Sequence, residues 1–418
     1  MSFNRNFIEL GSVCEIVRGG SPRPIIDYIT EEPDGVNWLK IGDVSETDKY
    51  FTHAKEKIKP SGIPKTREVK KGDLILSNSM SFGRAFITKI DGYIHDGWLR
   101  LRCDEDELDK EFLYYFLISS YAQNQFKAIA NGSVVNNLKS DTVRAVKIPL
   151  LSLELQKKIA SFLRSLDDKI ELNNRINENL EQQAVLLFRS WFTAFSESEC
   201  VPKKPSEFGQ IPEDFSVVKV GSLKMLVTDY VANGSFASLK ENVTLYQEPN
   251  YAYFIRNTDL KSGSFEVFVD QHSYEFLSKS TLYGGEIIIS NVGDVGSVFL
   301  CPKLDGPMTL GNNIIMLRPE DDSLRYYLYI WFKHLQGQAI IQGIKGGSAQ
   351  PKFNKTDFKN TSLLLPPGEL LSRFHDTVTP MFELISQNQS ENKRLSSMRD
   401  ILLPQLMSGK LDVSNIDL

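Results

Sequence analysis

Two stretches of this sequence repeat each other and decide its fold: Gly72-Asp-Leu-Ile-Leu-Ser-Asn78 and Gly285-Glu-Ile-Ile-Ile-Ser-Asn291. Over the 16 residues that begin at Gly72 and at Gly285, six positions are identical at a constant offset of 213, where unrelated sequences would share roughly one. Several other positions are exchanges between similar side chains. A repeat of this kind indicates two copies of one folding unit in a single chain.

Further matching segments flank the two stretches in the same order in both halves. They are Leu10-Gly-Ser12 with Val220-Gly-Ser222, Trp38-Leu-Lys40-Ile-Gly-Asp43 with Phe254-Ile-Arg256-Asn-Thr-Asp259, and Asn131-Gly-Ser133 with Gly346-Gly-Ser348.

A long helical pattern closes each half, and its seam positions match at an offset of 215. The seam residues step mostly by three or four, which predicts helices over about 152–195 and about 370–407, each on the order of 60 Å long. Apolar seams must be buried, and an antiparallel coiled coil buries both. Four asparagines fall on the seam, where they either fix the register of the pair or face solvent. The seam comprises Ile159, Leu166, Ile170, Asn173, Asn177, Leu180 and Leu187 in the first helix and Phe374, Met381, Ile385, Asn388, Asn392, Leu395 and Leu402 in the second.

The segments before each long helix are short apolar runs cut by Gly, Asp and Asn, which is typical of strands with turns. A helix is predicted near the end of each, over about 109–127 and about 323–341. The fold class is therefore α+β: two mixed α/β domains with pseudo-two-fold symmetry, separated by two long antiparallel helices. The predicted order is domain 1–151, helix 152–198, a Pro-punctuated linker 199–212, domain 213–368, helix 369–408 and a tail 409–418.

Composition limits the function classes. A length of 418 residues predicts two or three domains, and 41% hydrophobic with 24% charged residues excludes a disordered or disulfide-framework protein. The net charge is −5, and none of the segments above is basic overall, so an anion-binding surface must be a local patch. Four scattered cysteines predict free thiols, and without an apolar run of about 18 residues the chain is expected to be soluble and intracellular.

The sequence lacks the common catalytic and metal-binding motifs. It has no Asp/Asn-Pro-Pro-Tyr segment for adenine methylation, no G-x-x-x-x-G-K-[ST] phosphate loop, and no Cys/His metal spacing among its five histidines. We therefore expect no catalytic residue, no metal site and no cofactor in this chain.

The whole chain resembles the specificity subunit of Type I restriction-modification systems. Besides the repeated stretches, the resemblance is carried by Glu154-Leu-Gln156-Lys-Lys-Ile-Ala-Ser-Phe-Leu163, Phe188-Arg-Ser-Trp-Phe192, Gln210-Ile-Pro-Glu-Asp214 and Leu402-Leu-Pro-Gln-Leu-Met-Ser-Gly-Lys410. A departure is Pro366-Pro-Gly-Glu-Leu-Leu-Ser-Arg373, which lacks the Glu-Gln pair at the helix start.

The resemblance implies a non-catalytic scaffold that reads double-stranded DNA in the cytoplasm of a bacterial or archaeal host. Each domain would be a target recognition domain for one part of a bipartite, asymmetric site. The helices would set the distance between the parts and dock two methyltransferase subunits, and restriction subunits would join the larger assembly. S-adenosylmethionine, ATP and Mg would belong to those partners.

The candidate DNA contacts are cations, amides and hydroxyls in the repeated turns, in the Gly-bearing loops and in the basic stretch 55–71, because phosphate contacts position a reader and base-edge contacts specify. A solvated face, a Gly-bearing turn or a fold-supporting ion pair is the alternative at these positions. They are Lys40, Lys57, Lys59, Lys65, Arg67, Asn78, Ser79, Ser81, Arg84, Asn131, Ser133, Asn136 and Lys139 in the first half, and Arg256, Asn291, Asp294, Lys345, Ser348, Gln350, Lys352 and Asn354 in the second.

An apolar cluster at the ends of the long helices exceeds what one seam needs, so it is a candidate surface for docking partner helices, with packing inside the monomer as the alternative. Its members are Phe188, Trp191, Phe192, Leu403, Leu406 and Met407. Two other functions stay open at this point: a pseudo-symmetric scaffold that binds proteins or glycans, and an enzyme with an unrecognised site.

Overall fold

The computed structural model describes residues 7–45, 49–79, 82–130, 137–193, 202–347, 350–408 and 410–411. The chain divides into two compact units, Met1–Asn173 with Ser390–Leu418 and Asn174–Gln389. Each unit thus contains one domain of short strands and helices and one part of each long helix.

The described part of the first unit consists of short strands, three shorter helices and parts of the two long ones. These elements are β1 (Phe7–Glu9), β2 (Cys14–Arg18), β3 (Ile29–Thr30), β4 (Val36–Leu39), β5 (Tyr50–Phe51), β6 (Glu56–Ile58), β7 (Arg67–Val69), β8 (Leu74–Ser77), β9 (Ala85–Thr88), β10 (Gly92–Ile94), β11 (Trp98–Cys103), α1 (Lys110–Ile118), α2 (Ser120–Ala130), α3 (Ser140–Arg144), β12 (Lys147–Pro149) and the long helix α4 (Leu153–Phe192).

After a hairpin, the second unit repeats the order of the strands except for β5, and it has three additional short helices between them. Its elements are β13 (Lys203–Ser206), β14 (Gly209–Pro212), β15 (Ser216–Lys219), β16 (Met225–Asp229), α5 (Phe236–Asn242), β17 (Leu245–Tyr246), β18 (Ala252–Ile255), α6 (Asn257–Ser262), β19 (Phe268–Val269), α7 (Gln271–Phe276), β20 (Thr281–Leu282), β21 (Ile287–Ser290), β22 (Val298–Leu300), β23 (Met308–Leu310), β24 (Ile314–Pro319), α8 (Ser323–Lys333), α9 (Leu335–Gly343), α10 (Lys355–Lys359), β25 (Ser362–Leu365) and the long helix α11 (Gly368–Ser408).

The sheets of the two units have the same strand order. The order β2-β11-β8-β9 in the first unit matches β16-β24-β21-β22 in the second, and β3-β6-β4-β10-β7 matches β17-β19-β18-β23-β20. In the second of these sheets the third and fourth strands are parallel in both copies, β4 with β10 and β18 with β23. The first unit adds β5 beside β9. The predicted α+β architecture with an internal repeat is therefore confirmed.

Each helix predicted over about 109–127 and about 323–341 is broken into two. In the first unit Ser119 has an extended backbone between α1 and α2, and its hydroxyl accepts from the N–H of Ala122 (3.3 Å). In the second unit His334 is extended between α8 and α9. The apolar periodicity runs through both breaks, so the sequence pattern alone did not reveal them.

The segment 199–212 was predicted as a linker, but its described part is structured. Residues 203–212 form the β13–β14 hairpin, because Gly209 supplies the positive φ of 86° that the turn requires. Phe208 packs edge-to-face on Trp331 with ring centroids 5.6 Å apart. The linker interpretation was therefore wrong for these residues, which belong to the second unit.

The long helices run antiparallel to each other in both units, and the seam asparagines face each other. In the first unit Asn173 Nδ2 donates to Asn392 Oδ1 (2.9 Å) and to Glu391 Oε2 (2.7 Å). In the second unit Asn388 Nδ2 donates to Asn177 Oδ1 (2.8 Å). The two amide pairs are images of each other at the repeat offset of 215. A buried amide pair lowers stability relative to leucine but disfavours other registers.

Burial along the rest of the predicted seam is uneven. Ile159 and Phe374 are fully buried, and the other apolar seam residues are half-buried. They are Leu166, Ile170, Leu180, Leu187, Met381, Ile385, Leu395 and Leu402.

The start of each long helix shows the effect of the missing Glu-Gln pair. In the first unit the buried Gln156 accepts from the N–H of Asp109 (2.8 Å) and donates to the carbonyl of Glu107 (2.9 Å), which ties α4 to the segment before α1. The matching position at offset 215 is Leu371, which is buried in the apolar core of the second unit. Leucine in place of glutamine at this position therefore replaces hydrogen bonds by apolar packing.

The expected docking cluster is mostly buried inside the chain, which corrects that prediction. Phe188 and Phe192 pack on Tyr327 and Phe374 in the core of the second unit, with ring centroids 4.9–6.0 Å apart. Trp191 is half-buried against Phe374. Leu403, Leu406 and Met407 belong to the core of the first unit. Other residues of the same unit cover these side chains, so among the six only Trp191 retains appreciable exposed surface.

A charged cluster in the second unit gives a pH-dependent prediction. Glu181 Oε1 accepts from Lys333 Nζ (2.5 Å) and from the hydroxyl of Tyr329 (2.7 Å). Burial raises the pKa of Glu181, but the charge of Lys333 and these hydrogen bonds outweigh burial and lower it below its ordinary value of 4.5. The folded state therefore gains stability from this carboxylate above the unfolded pKa and loses it as the pH falls through the lowered pKa.

We accordingly expect Glu181→Gln to lower the free energy of unfolding at neutral pH, and the difference from wild type to shrink in acid. Urea unfolding of both proteins across this range measures it, with the exposed Glu178→Gln on the same helix as the control. A difference that is constant with pH would contradict the assignment.

Candidate nucleic-acid interface

One end of the β2-β11-β8 sheet gathers polar side chains in the first unit. β2 ends at Arg18, β8 ends at Ser77, and β11 begins at Trp98 at this same edge. The turn before β11 holds them together: the carbonyl of Asp96 accepts from Arg18 Nε (2.9 Å) and from Asn78 Nδ2 (3.0 Å). The result is a hydrogen-bonded polar edge made from three separate parts of the sequence.

The second unit builds the same edge through equivalent backbone hydrogen bonds, although its side chains there differ. The N–H of Asn291, just after β21, donates to the carbonyl of Asn313 (3.1 Å), as that of Asn78 donates to Gly97 (2.8 Å). The carbonyl of Asn291 accepts from the N–H of Phe353 (3.1 Å), as that of Asn78 accepts from Leu138 (2.8 Å). The repeated Ser-Asn thus joins each sheet end to the following Gly-bearing loop.

The repeated glycines shape the same turn twice. Gly83 and Gly296 have φ of 84° and 100°, a region that strongly favours glycine. The carbonyl of each accepts from a glutamine at the repeat offset of 215, Gln123 at 2.7 Å and Gln338 at 2.8 Å. The common residues of the turn are therefore structural.

Asn78 was a candidate for reading bases, and the structure corrects this. Its side chain is only 2% exposed, and its amide nitrogen donates to the carbonyl of Asp96. An adenine contact needs a free amide edge at the surface, which Asn78 does not offer here. Asn291 is half-buried, and its Nδ2 donates to the carbonyl of Phe353 at 3.3 Å.

The residues that differ between the two turns lie closer to solvent. Ser79 and Arg84 are half-buried, and Arg84 Nη2 donates to the carbonyl of Ser45 (2.5 Å). Asp294 accepts from Ser297 and pairs with Lys261 Nζ, both at 2.6 Å, and these hydrogen bonds lower the pKa of Asp294. The carboxylate of Asp294 therefore stabilises the turn between β21 and β22 in which it lies. Ser81 lies outside the described residues.

The second loop pair is described only in part, because Asn131, Ser133, Asn136 and Ser348 lie outside the described residues. The cations Lys139, Lys345 and Lys352 and the amide Gln350 are exposed. Asn354 is also exposed, but it caps α10, and its Oδ1 accepts from the N–H of Asp357 (2.8 Å).

Lys40 and Arg256 occupy equivalent places and are both paired with carboxylates. The backbone N–H of each donates to the side chain of an aspartate three residues on, Asp43 at 3.0 Å and Asp259 at 2.9 Å. Arg256 also forms a forked ion pair with Asp259, and Lys40 pairs with Glu56. Both residues therefore form ion pairs within the fold, which was the alternative to a DNA contact at these positions.

The basic stretch of the first unit lies on and around β6 and β7. Lys57 and Arg67 are exposed on these strands. Lys59 precedes the 3-10 helix Pro60–Lys65 and Lys65 ends it, and both are exposed. Their ammonium groups donate to the carbonyl of Asp27 and to the hydroxyl of Tyr28, both at 2.7 Å. These four candidate cations are thus accessible to phosphates.

Sequence reasoning missed the segment after β2. Arg18 and Arg23 are exposed beside Asp96, and Ser21 Oγ donates to its carboxylate (2.8 Å). Burial raises the pKa of Asp96, but the Ser21 hydrogen bond and the neighbouring cations lower it overall. Burial and the same arginines lower the pKa of His95. Extending the internal alignment beyond Leu10-Gly-Ser12 to the end of the next strand would have found this segment.

No group of three or more His, Cys, Asp or Glu side chains in the described ranges is arranged to hold a metal ion. In the same ranges, no helix is long and apolar enough to cross a bilayer.

A family model described as the Type I restriction modification DNA specificity domain matches residues 4–182 and 212–393, and thus matches the two halves separately. The chain belongs to this Type I specificity family. The two matched segments correspond to the two copies of the fold, so the resemblance inferred from the sequence is confirmed. Members of the family are DNA-specificity subunits rather than catalytic subunits, and this chain is one of them.

Relatives of this specificity subunit match it along most of their length. The MjaIX specificity subunit of Methanocaldococcus jannaschii is 28% identical over 403 residues, covering 91% of this chain and 88% of the relative. The HindI specificity subunit of Haemophilus influenzae is 25% identical, covering 90% of this chain and 94% of the relative. The S subunit from M. genitalium has a similar fold, with a TM-score of 0.52 at 18% identity and 97% coverage of both chains.

Proposed function

We propose that this specificity subunit recognises a bipartite, asymmetric DNA site, with each recognition domain reading one half. The observation that carries the proposal is the polar sheet edge, which is built twice on one framework with different half-buried or exposed side chains. A homodimer with identical halves reads a palindrome, because protein symmetry is mirrored in the site. Two diverged copies in one chain keep the frame and read two unrelated half-sites.

The local charges support DNA as the ligand. The chain is acidic overall, but Arg18, Arg23, Lys59 and Lys65 lie exposed around one sheet edge of the first unit. Cations that replace the counterions of phosphates supply sequence-independent affinity, and nearby polar groups supply selectivity. The half-site residues remain Ser79, Ser81, Arg84, Asn131, Ser133, Asn136 and Lys139 with Lys57 and Arg67 in the first domain, and Asn291, Asp294, Lys345, Ser348, Gln350, Lys352 and Asn354 in the second.

The long helices would dock two methyltransferase subunits, and restriction subunits would join the larger complex in a bacterial or archaeal cytoplasm. S-adenosylmethionine, ATP and Mg would be bound by those partners. Because most of the expected docking cluster is buried, contact would fall on exposed apolar residues along the helices, such as Leu172, Leu186, Met398 and Ile401. A protein- or glycan-binding scaffold is not favoured by the family match.

Binding to duplex DNA with the methyltransferase partner present tests the proposal. We expect sequence-selective binding whose affinity falls steeply with salt, at least about a thousandfold tighter for the specific site than for random duplex. Equal affinity for all duplexes at low salt would contradict it.

A further inference from the structure

Two large apolar side chains protrude into solvent at nearly the same place in the two copies of the fold. Ile26 is 80% exposed and Phe236 is 81% exposed, more than any other large apolar side chain among the described residues. Ile26 lies eight residues beyond the end of β2 at Arg18, and Phe236 lies seven residues beyond the end of the equivalent strand β16 at Asp229. A single exposed apolar residue is ordinary, but its recurrence in two diverged copies indicates a shared use.

In the first unit, Ile26 is held in place by the basic stretch. It lies in a 3-10 turn, Ile25–Asp27, whose carbonyl at Asp27 accepts from Lys59 Nζ (2.7 Å). The next residue, Tyr28, accepts from the backbone N–H of Lys59 (2.8 Å) and carries Lys65 Nζ 4.8 Å from its ring centroid. Arg23 precedes Ile26 by three residues, and 82% of its side chain is exposed. The segment that carries the protruding isoleucine is therefore accompanied by three cations.

In the second unit, Phe236 is the first residue of α5, and a polar framework fixes the turn before it. Ser235 caps the helix, and Asn233 donates to Ser280 Oγ (2.8 Å) and accepts from the N–H of Lys279 (3.0 Å). Lys240 follows Phe236 by four residues and so lies on the same helix face. Lys240 and Lys279 are both exposed, which places cations beside the phenylalanine as well.

Both side chains follow strands that end at the polar sheet edge described above. In the first unit the segment that leads to Ile26 is bonded to that edge, since the N–H of Gly19 donates to the carbonyl of Trp98 (2.9 Å) and Ser21 donates to Asp96 (2.8 Å). In the second unit Asp229 ends β16 opposite Ile315 and pairs with Lys355 (3.0 Å).

We infer that Ile26 and Phe236 are apolar base-contacting residues, each packing against the bases of one half-site within a rim of phosphate-binding cations. The inference rests on the proposed function and deepens it. Apolar side chains contact DNA either at the thymine methyl group in the major groove or as wedges between base steps. Both modes bury an apolar side chain against base surface, which explains an exposed isoleucine or phenylalanine beside lysines and arginines.

The test uses the full chain with its methyltransferase partner and the cognate duplex. Ile26→Ala and Phe236→Ala are each expected to weaken specific binding by about ten- to a hundredfold, because a buried apolar contact is lost. Binding to random duplex and the salt dependence should stay unchanged, because no phosphate-binding cation is removed. Tyr283→Ala is the matched control: Tyr283 is 66% exposed in the second unit, beside Arg318 at the opposite end of β24, and its loss should leave DNA binding unchanged.

Modified duplexes separate the two modes of contact. Replacing thymine by uracil in one half-site removes the methyl group. If the side chain contacts that methyl group, wild type and the alanine variant of that half should bind the uracil duplex with equal affinity. A wedge predicts instead that 2-aminopurine fluorescence rises when wild type binds and does not rise with the alanine variant. Either result supports base contact by that side chain.

Three results would overturn the inference. Both variants could bind the cognate duplex as wild type does, they could lose no more affinity than Tyr283→Ala, or the two side chains could prove to contact another protein, so that only partner assembly fails. In each case wild type still binds DNA selectively and the proposed function stands. If wild type itself shows no selective binding, the proposed function fails first.

Discussion

Replacing residues 1–150 with the corresponding segment of another specificity subunit is expected to change one half of the recognised DNA site and leave the other half intact. The reason is the repeat: the sheets of the first domain and those of the second are complete in themselves, with no strand shared between units in the described chain. Affinity of the chimera for the original site should fall by about a thousandfold or more, towards the non-specific level.

The exchange has to respect the core of the first unit. Buried residues of α4 and α11 complete that core, including Ile159, Leu163, Leu403 and Leu406. A donor segment that does not fit these side chains would misfold. The chimera should therefore also carry the donor's residues at these helix positions. The readout is the sequence of methylated sites in a host that contains the chimera. A change in both halves, or in neither, would contradict the modular account, provided that circular dichroism shows a folded chimera.

Asp167→Ala is expected to destabilise the first unit by about 3 kcal/mol, because it removes the carboxylate shared by Lys49 and Arg399 and leaves them only the longer contact with Glu111 and the exposed Asp400. Asp167 on α4 accepts from the hydroxyl of Tyr115 on α1 (2.6 Å) and from Arg399 Nη1 on α11 (2.9 Å). Lys49 Nζ lies 3.6 Å from the same carboxylate and donates to Tyr115 (2.9 Å). Burial and Asp167 raise the pKa of Tyr115, so the phenol keeps its proton and donates.

The adjacent carboxylate provides the control for this prediction. Asp168 is exposed and lies 3.9 Å from Arg164, so Asp168→Ala should cost less than about 0.5 kcal/mol. Hydrogen–deuterium exchange of peptides from α1 and α11 locates the effect in the first unit, and urea unfolding measures its size. If both variants are equally stable, the Asp167 cluster does not join the domain to the helices as described.

The sequence alone was sufficient for the repeat and the long helices, because both leave periodic signals. Matching residues at offsets of 213 and 215 identify the copies, and steps of three and four identify α4 and α11. Their bounds, Leu153–Phe192 and Gly368–Ser408, lie within three residues of the prediction from periodicity. The breaks at Ser119 and His334 were missed, since apolar residues continue through them.

Side-chain environments were harder to predict, because tertiary contacts decide them. Phe188 and Leu406 read as surplus apolar residues on a helix, but their own domains cover them. Asn78 was predicted to be a base-reading amide, but its neighbours in space bury it and its amide nitrogen donates to the carbonyl of Asp96. Conversely, nothing local distinguishes Ile26 from a core isoleucine. Only the packing of the 22–28 segment leaves it in solvent.

The central claim is that one chain with two diverged copies of a domain reads a discontinuous, non-palindromic site. Sequencing of methylated adenines in a host that contains the wild-type subunit and its methyltransferase partner tests this most directly. The account predicts two short specified blocks of unrelated sequence, separated by a fixed number of unspecified base pairs. A continuous site, or two blocks that are inverted copies of each other, would contradict it.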